Sequence, residues 1–405
     1  MTELRDPSPL RAESTASAGP ASTRGVVSGP RRRVFDGLVG VAFVIGLAIP
    51  GLLFLSGARP AATENRTLVA APTMTVENLG DPAWYGLVNR YLADNLVVKP
   101  PAVAARATVF FDLLGRSTNP AVLVGMERWL FLRADTPKSC RRSAKDQLAS
   151  LDAVQAALAA NGQQLRLVIT PDKRTIYPEM ARNVSPPGST CTDTQRPAMR
   201  AGIASRPWAV DAWGPVAAAR DAAAAGDPVY FPQDSHWKPE GALPVVKALV
   251  ESLQMGIWRD VDVQKNGTTL RVLDLTSLLG LSRTEAMTRY LVRPGTSVEE
   301  RTIPIREKLS ASKAVLEYRS SGSDTLIPGR TLVIYDSFFD IQRNLITPFF
   351  ASSTWVHGQD IKAHPEIAAE LGHFDTVIVE QVERAFYSAD PAAFVLPFVG
   401  PSADR

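Results

Sequence analysis

The apolar residues first form one long run near the N-terminus. From Gly37 to Ala58 the sequence reads GLVGVAFVIGLAIPGLLFLSGA and contains no charged residue. About 20 apolar residues cross a hydrocarbon core of roughly 30 Å as a helix, and Pro and Gly are tolerated there. We therefore predict a transmembrane anchor at 34–58, with 37–58 in the lipid bilayer. A cleaved signal peptide is the alternative, with Ser56-Gly57-Ala58 as its cleavage site.

The rest of the chain alternates between helical spacing and short apolar runs. The spacing predicts helices at 81–114, 145–160, 209–225 and 240–253, strands at 165–170, 228–231, 331–335 and 375–381, and a hairpin at 123–132. Helices that alternate with buried strands indicate an α/β fold, in which a mostly parallel sheet carries helices on both faces. The polar segment 256–325 fits this alternation poorly, so we expect it to be an insertion or a cap.

Charge and composition divide the chain at the apolar run. Residues 1–33 contain few large apolar side chains, which predicts a disordered tail. The triplet Arg31-Arg32-Arg33 precedes the span, so the tail is expected in the cytoplasm and residues 59–405 outside it, as the extracytoplasmic domain of a single-pass protein of the cell membrane. The net charge of +3 gives no indication of a nucleic-acid partner.

Only two cysteines occur, Cys140 and Cys191, and both follow the predicted anchor. An extracytoplasmic compartment permits disulfides, so one bridge between them is expected. Two unrelated thiols are the alternative. The spacing gives no support for a zinc site, and we predict neither a metal nor a cofactor.

Polar residues directly follow three of the predicted strands: Asp172-Lys173, Asp234-Ser235-His236 and Asp336-Ser337. Ligands of parallel sheets bind at the carboxyl ends of the strands. In an extended segment residues i and i+2 share a side, so the Asp234 carboxylate is expected to hold one nitrogen of His236, with Ser235 pointing away.

A serine hydroxyl needs such an oriented base before it becomes a nucleophile, and Ser337 is the nearest candidate. Backbone N–H groups at the start of the next helix are expected to stabilise an oxyanion. Of the remaining histidines, His357 is the rival base, whereas His364 and His373 have less suitable positions.

The order of the motifs resembles that of the alginate O-acetyltransferase family, the AlgX/AlgJ type of extracytoplasmic SGNH-hydrolase-like proteins. The resemblance lies in six segments in the family's order: Glu64–Arg66, VLVGMERWLFL at 122–132, ITPDKRTIYPE at 169–179, YFPQDSHWKPEGA at 230–242, LVIYDSFFD at 332–340 and IVEQVERAF at 378–386. It implies an SGNH-hydrolase-like, flavodoxin-like fold. It also implies Ser337 as nucleophile, His236 as general base and Asp234 as its orienting partner.

Two positions depart from the family pattern, because Tyr335 and Arg128 stand where the family has glycine. We expect Tyr335 to narrow the site or to shift the loop before Ser337.

Five further residues are candidates for substrate or oxyanion binding, each with a structural alternative. Lys173 either stabilises charge or holds its loop, or it is an ordinary surface lysine; Asp172 is its neighbour. Trp237 either stacks on a sugar or packs in the interior. Arg384 is expected to form a structural ion pair with Glu383 near the site. Tyr335 completes the set.

The resemblance implies a membrane-anchored O-acyltransferase that passes an acyl group, most simply acetyl, from an acyl-serine to a hydroxyl of a cell-envelope or secreted polysaccharide. A membrane-bound O-acyltransferase partner would supply the acyl group. A glycan O-acetyl esterase with the same triad is an alternative. The second alternative is a non-catalytic scaffold in polysaccharide assembly, which Tyr335 at the family's glycine position would favour.

Overall fold

The computed structural model describes residues 30–60, 68–224, 226–293, 295–305 and 314–399, and the side chains from residue 37 onward. Residues 1–29 of the predicted tail at 1–33 and the Glu64–Arg66 motif lie outside these residues, whereas residues 30–33 form the start of a helix and not part of a disordered tail. The chain forms two compact units, Met1–Pro100 and Pro101–Arg405.

The first unit is built on α-helices. Helix α1 spans Pro30–Leu55 and α2 spans Pro82–Asn95, while α3, Lys99–Thr108, runs across the boundary. Within α1, Gly37–Leu55 is long and apolar enough to cross a membrane, and none of it is buried in the protein. Asp81 caps α2 by accepting the Ala83 N–H at 2.8 Å.

Within its described residues, the second unit contains eleven strands and twelve further α-helices. The strands are β1 Val122–Val124, β2 Leu130–Leu132, β3 Gln164–Thr170, β4 Ala209–Val210, β5 Val263–Val272, β6 Thr284–Val292, β7 Ser297–Ile303, β8 Val315–Ser321, β9 Ile327–Tyr335, β10 Phe350–His357 and β11 Thr376–Val382. The helices are α4 Ala144–Ala160, α5 Lys173–Ile176, α6 Cys191–Ala204, α7 Trp213–Ala222, α8 Pro239–Leu253, α9 Asp274–Leu279, α10 Ser337–Asp340, α11 Arg343–Ile346, α12 Gly358–Ala363, α13 Ile367–Leu371, α14 Glu383–Phe386 and α15 Pro391–Val395.

A seven-stranded sheet in the order β4-β3-β11-β9-β10-β8-β7 forms the centre of this unit. The first five strands are mutually parallel, whereas β8 is antiparallel to β10 and β7 to β8. Alternate residues of β9 enter different cores: Leu332 and Ile334 pack with α4, and Val333 and Tyr335 pack with α8. The sheet therefore carries helices on both faces, as predicted.

The predicted strands at 165–170, 331–335 and 375–381 are confirmed as β3, β9 and β11, the helices at 145–160 and 240–253 as α4 and α8, and the hairpin as β1–β2. The strand at 228–231 is wrong. Among the described residues this segment makes a single bridge, Tyr230 with Trp237. Pro228 begins the segment and Pro232 follows it, and both lack the N–H group that a sheet requires. The helix predicted at 209–225 is shorter, because Ala209–Val210 forms β4 and α7 starts at Trp213.

The segment 256–325, which was expected to be an insertion or a cap, divides into two parts. Strands β5 and β6 form a separate antiparallel sheet with α9 between them, whereas β7 and β8 extend the main sheet at its antiparallel edge.

The backbone conformation of the β1–β2 hairpin accounts for the glycine that the family pattern has at the position of Arg128. Arg128 has φ +61° and the preceding Glu127 has φ +50°. Glycine adopts this left-handed backbone freely, whereas other residues do so at a cost. Arg128 therefore adopts the left-handed backbone conformation that a glycine favours, and the hairpin turn is kept.

The expected disulfide joins Cys140, just before α4, to Cys191, the first residue of α6, with their Cα atoms 5.7 Å apart. The bond closes a loop of 51 residues. It connects the two helices that begin on either side of β3.

Replacing both cysteines by serine should lower the free energy of unfolding by about 2–4 kcal/mol, because the unfolded chain regains the freedom that the cross-link removes. Denaturant unfolding of the full chain in detergent micelles measures this change. Wild-type protein treated with a reducing agent is the matched control and should show the same shift. An unchanged unfolding midpoint in both samples would contradict the structural role of the bond.

Candidate active site

The Asp234 carboxylate forms the centre of the 231–236 loop. Its Oδ1 accepts the backbone N–H of His236 at 2.9 Å and lies 2.6 Å from His236 Nδ1. A side chain that bonds the backbone two residues later closes an Asx turn, so a turn rather than an extended segment brings the pair together. Ser235 consequently does not point away as expected: its Oγ lies 3.2 Å from His236 Nδ1.

Lys173 holds this loop from the end of β3. Its Nζ donates to the backbone carbonyls of Phe231 at 3.0 Å, Pro232 at 2.9 Å and Asp234 at 2.6 Å. The side chain is 1% exposed, so it is not a surface lysine. Burial lowers the pKa of Lys173 to about 8, against the attraction of Asp234 and other nearby carboxylates. The loop is thus anchored by an ammonium group and not by a strand.

Two residues that sequence reasoning missed, Arg271 and Asp274, complete the surroundings of Asp234 and His236. Arg271 Nε lies 3.2 Å from Asp234 Oδ2, and the Asp274 N–H donates to the same oxygen at 2.9 Å. Asp274 in turn accepts the Ser235 N–H at 2.7 Å and the Ser235 hydroxyl. Burial alone would raise the pKa of Asp234, but hydrogen bonding and charge from His236, with Arg271, hold it well below its usual range.

Ser337 begins the short helix α10 directly after β9 and is half-buried. The next residue, Phe338, places its ring 5.1 Å from the His236 ring, and its carbonyl accepts the Trp237 Nε1–H at 3.1 Å. The loops of Ser337 and His236 are therefore in contact. His236 Nε2 is buried and has no hydrogen-bond partner within the described part of the chain, which leaves that nitrogen available to a nucleophile's proton.

One backbone N–H at the start of helix α10 is already bonded, and the expected oxyanion site there stays a prediction. Helix α10 has four residues, and Asp336 already caps it by accepting the Phe338 N–H at 2.9 Å. The other oxygen of Asp336 accepts the Val382 N–H at 2.8 Å. The N–H of Phe338 is therefore occupied. Through its two oxygens, Asp336 connects the serine loop, residues 336–338, to the end of β11.

Trp237 and Tyr335 are interior residues. Trp237 is fully buried, so its indole packs in the core and does not present a stacking surface to a sugar. Tyr335 is 1% exposed, packs against Trp355 and His357, and bonds Arg343 at 3.1 Å through its hydroxyl. Its ring therefore fills the core beside β9.

The expected partnership of Arg384 with Glu383 is wrong, because adjacent residues at a helix start project in different directions. Arg384 pairs instead with Asp172 and, at 3.4 Å, with Asp135, and its guanidinium lies over the Phe338 ring. Burial and the nearby Asp135 raise the pKa of Asp172 to about 7, against the attraction of Arg384. The Asp172–Arg384 ion pair therefore packs against Phe338, the residue after Ser337.

The rival base His357 is used elsewhere. Its Nδ1 accepts the Gln359 N–H at 3.2 Å, which caps helix α12, and burial lowers its pKa. Burial penalises the charged imidazolium that a general base must become.

Asp234, His236 and Asp274 place potential ligand atoms within 4.8 Å of one another. However, the guanidinium of Arg271 already brings a positive charge against Asp234, and the Asp234 contact engages His236 Nδ1. These contacts fit a hydrogen-bonded charge network better than a metal site, so we assign no metal here.

Residues 122–318 match the family model described as "SGNH hydrolase-like domain, acetyltransferase AlgX". Residues 122–318 are therefore similar to an AlgX-type SGNH hydrolase-like domain. The family predicted from the motif order is thereby confirmed. The matched residues include Asp234 and His236 and end before Ser337.

Individual relatives cover smaller parts of the chain. The probable alginate O-acetylase AlgJ of Azotobacter vinelandii is 29% identical over 153 residues, which are 36% of this chain and 37% of that protein. AlgJ of Pseudomonas syringae pv. tomato is 26% identical over 198 residues, 47% of each protein. The match thus spans less than half the length of these relatives. The solved O-acetyltransferase domain of Pseudomonas putida AlgJ is 18% identical with a TM-score of 0.45, over 67% of this chain and 94% of that one.

Lys173→Met should destabilise the protein by about 3 kcal/mol, because three carbonyl groups, two of them in buried hydrogen bonds, lose their charged donor. Denaturant unfolding of the full chain in micelles measures the loss. Lys145→Met, which changes an exposed lysine of α4, is the matched control and should leave stability unchanged. Equal stability of the two variants would show that Lys173 does not anchor the loop.

Proposed function

We propose that the chain is an O-acyltransferase that passes an acyl group, most simply acetyl, to a hydroxyl of a cell-envelope or secreted polysaccharide. The observation that carries the proposal is the Asp234–His236 pair at 2.6 Å, whose Nε2 is buried without a partner in the described residues, beside the loop of Ser337. The AlgX-type domain supports the same chemistry.

In the first half of the reaction, His236 Nε2 takes the proton of Ser337 Oγ as that oxygen bonds to the acyl carbonyl carbon. Asp234 keeps Nδ1–H directed toward itself and stabilises the imidazolium that forms. The tetrahedral intermediate then collapses, the bond between the acyl carbon and the donor's heteroatom breaks, and His236 returns the proton to the leaving group. Ser337 is left as an acyl ester.

The second half reverses these steps with a different oxygen. A sugar hydroxyl gives its proton to His236 and bonds to the acyl carbon, and the bond to Ser337 Oγ breaks as the serine regains a proton. Water in the place of the sugar would make the enzyme an esterase. Transfer therefore requires a site that holds a sugar hydroxyl against the acyl-serine.

A cavity of about 590 Å³ offers room for the acceptor. It lies between the β6–β7 strands and the α10–α11 segment that follows Ser337, and a second cavity of about 300 Å³ shares Arg289, Ile341 and Asn344 with it. Polar side chains and the ring of Tyr290 line the larger cavity, a combination that suits sugars. Gln342, which lines the smaller one, has a buried side-chain nitrogen without a partner in the described residues. We assign the acceptor glycan to these cavities, which favours transfer over hydrolysis.

The alternative of a non-catalytic scaffold loses its main support, because Tyr335 lies in the core and not in a substrate cleft. The apolar stretch Gly37–Leu55 fits a membrane anchor, and the preceding arginines favour a cytoplasmic N-terminus. The Cys140–Cys191 bond fits an oxidising compartment outside the cytoplasm. There the acyl donor would be an ester or thioester presented by a membrane-bound O-acyltransferase partner.

Ser337→Ala and His236→Ala should each lower turnover of an activated acetyl ester by at least about 100-fold, because the nucleophile or its base is lost. The assay uses the full chain in micelles, with and without a panel of glycans. Ser282→Ala and His373→Ala are matched controls outside the site and should retain activity. Wild-type turnover in both site variants would disprove the catalytic assignment.

Asn344→Ala and Arg289→Ala should raise the KM for the acceptor several-fold and leave ester hydrolysis without acceptor unchanged, because they alter the cavity and not the triad. Net acetylation of the glycan measures the first effect and release of the leaving group measures the second. Arg200→Ala, at an exposed arginine of α6, is the control. An unchanged KM in both variants would place the acceptor elsewhere.

A further inference from the structure

We propose that Arg271 and Asp274 are positioning residues that together set how readily His236 takes up a proton. The inference rests on the proposed function, in which His236 is the general base. It assigns a role to the end of β5, which contains Arg271, and to the start of α9, which is Asp274; both lie outside the main sheet.

The two oxygens of Asp234 are shared between these groups. Oδ1 serves His236, whereas Oδ2 lies 3.2 Å from Arg271 Nε and accepts the Asp274 N–H at 2.9 Å. Because His236 Nδ1 directs its hydrogen to Asp234, it cannot also accept one from Arg271 Nη2, which lies 3.1 Å away. That contact instead places a positive charge beside the ring.

Asp274 supplies the opposite charge on the same side. Its Oδ2 lies 3.6 Å from His236 Nδ1, and the Ser235 hydroxyl, 3.2 Å from the same nitrogen, bonds to that carboxylate. The ring therefore faces two carboxylates and one guanidinium, which leaves one net negative charge. This is the charge of a simple Asp–His pair, although three charged side chains produce it.

The other charged groups around the ring have defined partners. Lys173 directs its ammonium to the carbonyls of the loop. Asp336, on the loop of Phe338, accepts two backbone N–H groups. Arg384, over the Phe338 ring, is paired with Asp172 and Asp135. Removing Arg271 or Asp274 should therefore unbalance the charge at His236 in opposite directions.

Arg271→Gln leaves two carboxylates and no cation beside the ring, so the imidazolium is favoured. The midpoint of the acid limb of kcat/KM for ester hydrolysis should rise by about one pH unit, as expected for a charge within 4–6 Å. Asp274→Asn leaves no net charge and should lower that midpoint by a similar amount. The double variant restores one net negative charge and should return close to the wild-type profile.

NMR titration of the imidazole in the full chain in micelles gives a readout that does not depend on activity. The chain has four histidines, so comparison with His236→Ala identifies the signal. Opposite shifts of the titration midpoint in the two single variants would support the inference, even if Ser337→Ala retained turnover and disproved the proposed function. Unchanged midpoints, or shifts in the same direction, would overturn it.

A conservative variant guards against loss of folding. Arg271→Lys keeps the charge and should titrate close to wild type, with an unchanged near-UV circular dichroism spectrum. If Arg271→Gln unfolds, the titration midpoint of His236 in Asp274→Asn is compared with that in wild type and in Arg271→Lys. The proposal is overturned if the midpoint in Asp274→Asn is not lower than in wild type and in Arg271→Lys.

Discussion

Three carbonyl groups of the loop that carries Asp234 and His236 accept hydrogen bonds from one buried ammonium group, that of Lys173. The segment before the loop does not join the sheet, so its backbone lacks the ladder that normally fixes a loop at a strand end. Lys173 lies just after β3, a strand inside the sheet, so its position is fixed by the sheet. Its three hydrogen bonds in turn fix the position of the loop. The geometry of Asp234 and His236 therefore depends on a side chain from a different element.

Burial of charge continues around the serine loop. Arg384 is shared by Asp172 and Asp135, and Glu383 is paired with Arg196. Buried ion pairs give little net stability, because desolvation offsets much of their attraction. These ion pairs instead fix the positions of the side chains, because breaking a pair would leave one charged side chain buried without its partner. The sheet edge is thus arranged by polar contacts that would be costly to rearrange.

Much of this fold follows from local sequence. Strands β3, β9 and β11 are short apolar runs inside the sheet, so their composition alone identifies them, and each leads into a polar residue of the site. The segment 228–231 is also apolar but fails as a strand because it begins with Pro228 and is followed by Pro232. Strand β10 was not predicted, since its centre carries Ser353 and Thr354, which are buried. Asp234 and His236 were found because they are close in sequence; Arg271 and Asp274 were not, because only the folded β5–α9 segment brings them to the loop.

The disulfide has a consequence for when the protein reaches its final state. Cys191 opens α6, and two residues later Asp193 binds both Arg174 and Arg196, the second of which holds Glu383. Thiols stay reduced in the cytoplasm and pair in oxidising compartments. Completion of this part of the fold is therefore coupled to the environment, and a chain retained on the reducing side would lack the cross-link beside its arginine cluster. In the proposed extracytoplasmic placement, this bond would form only after export.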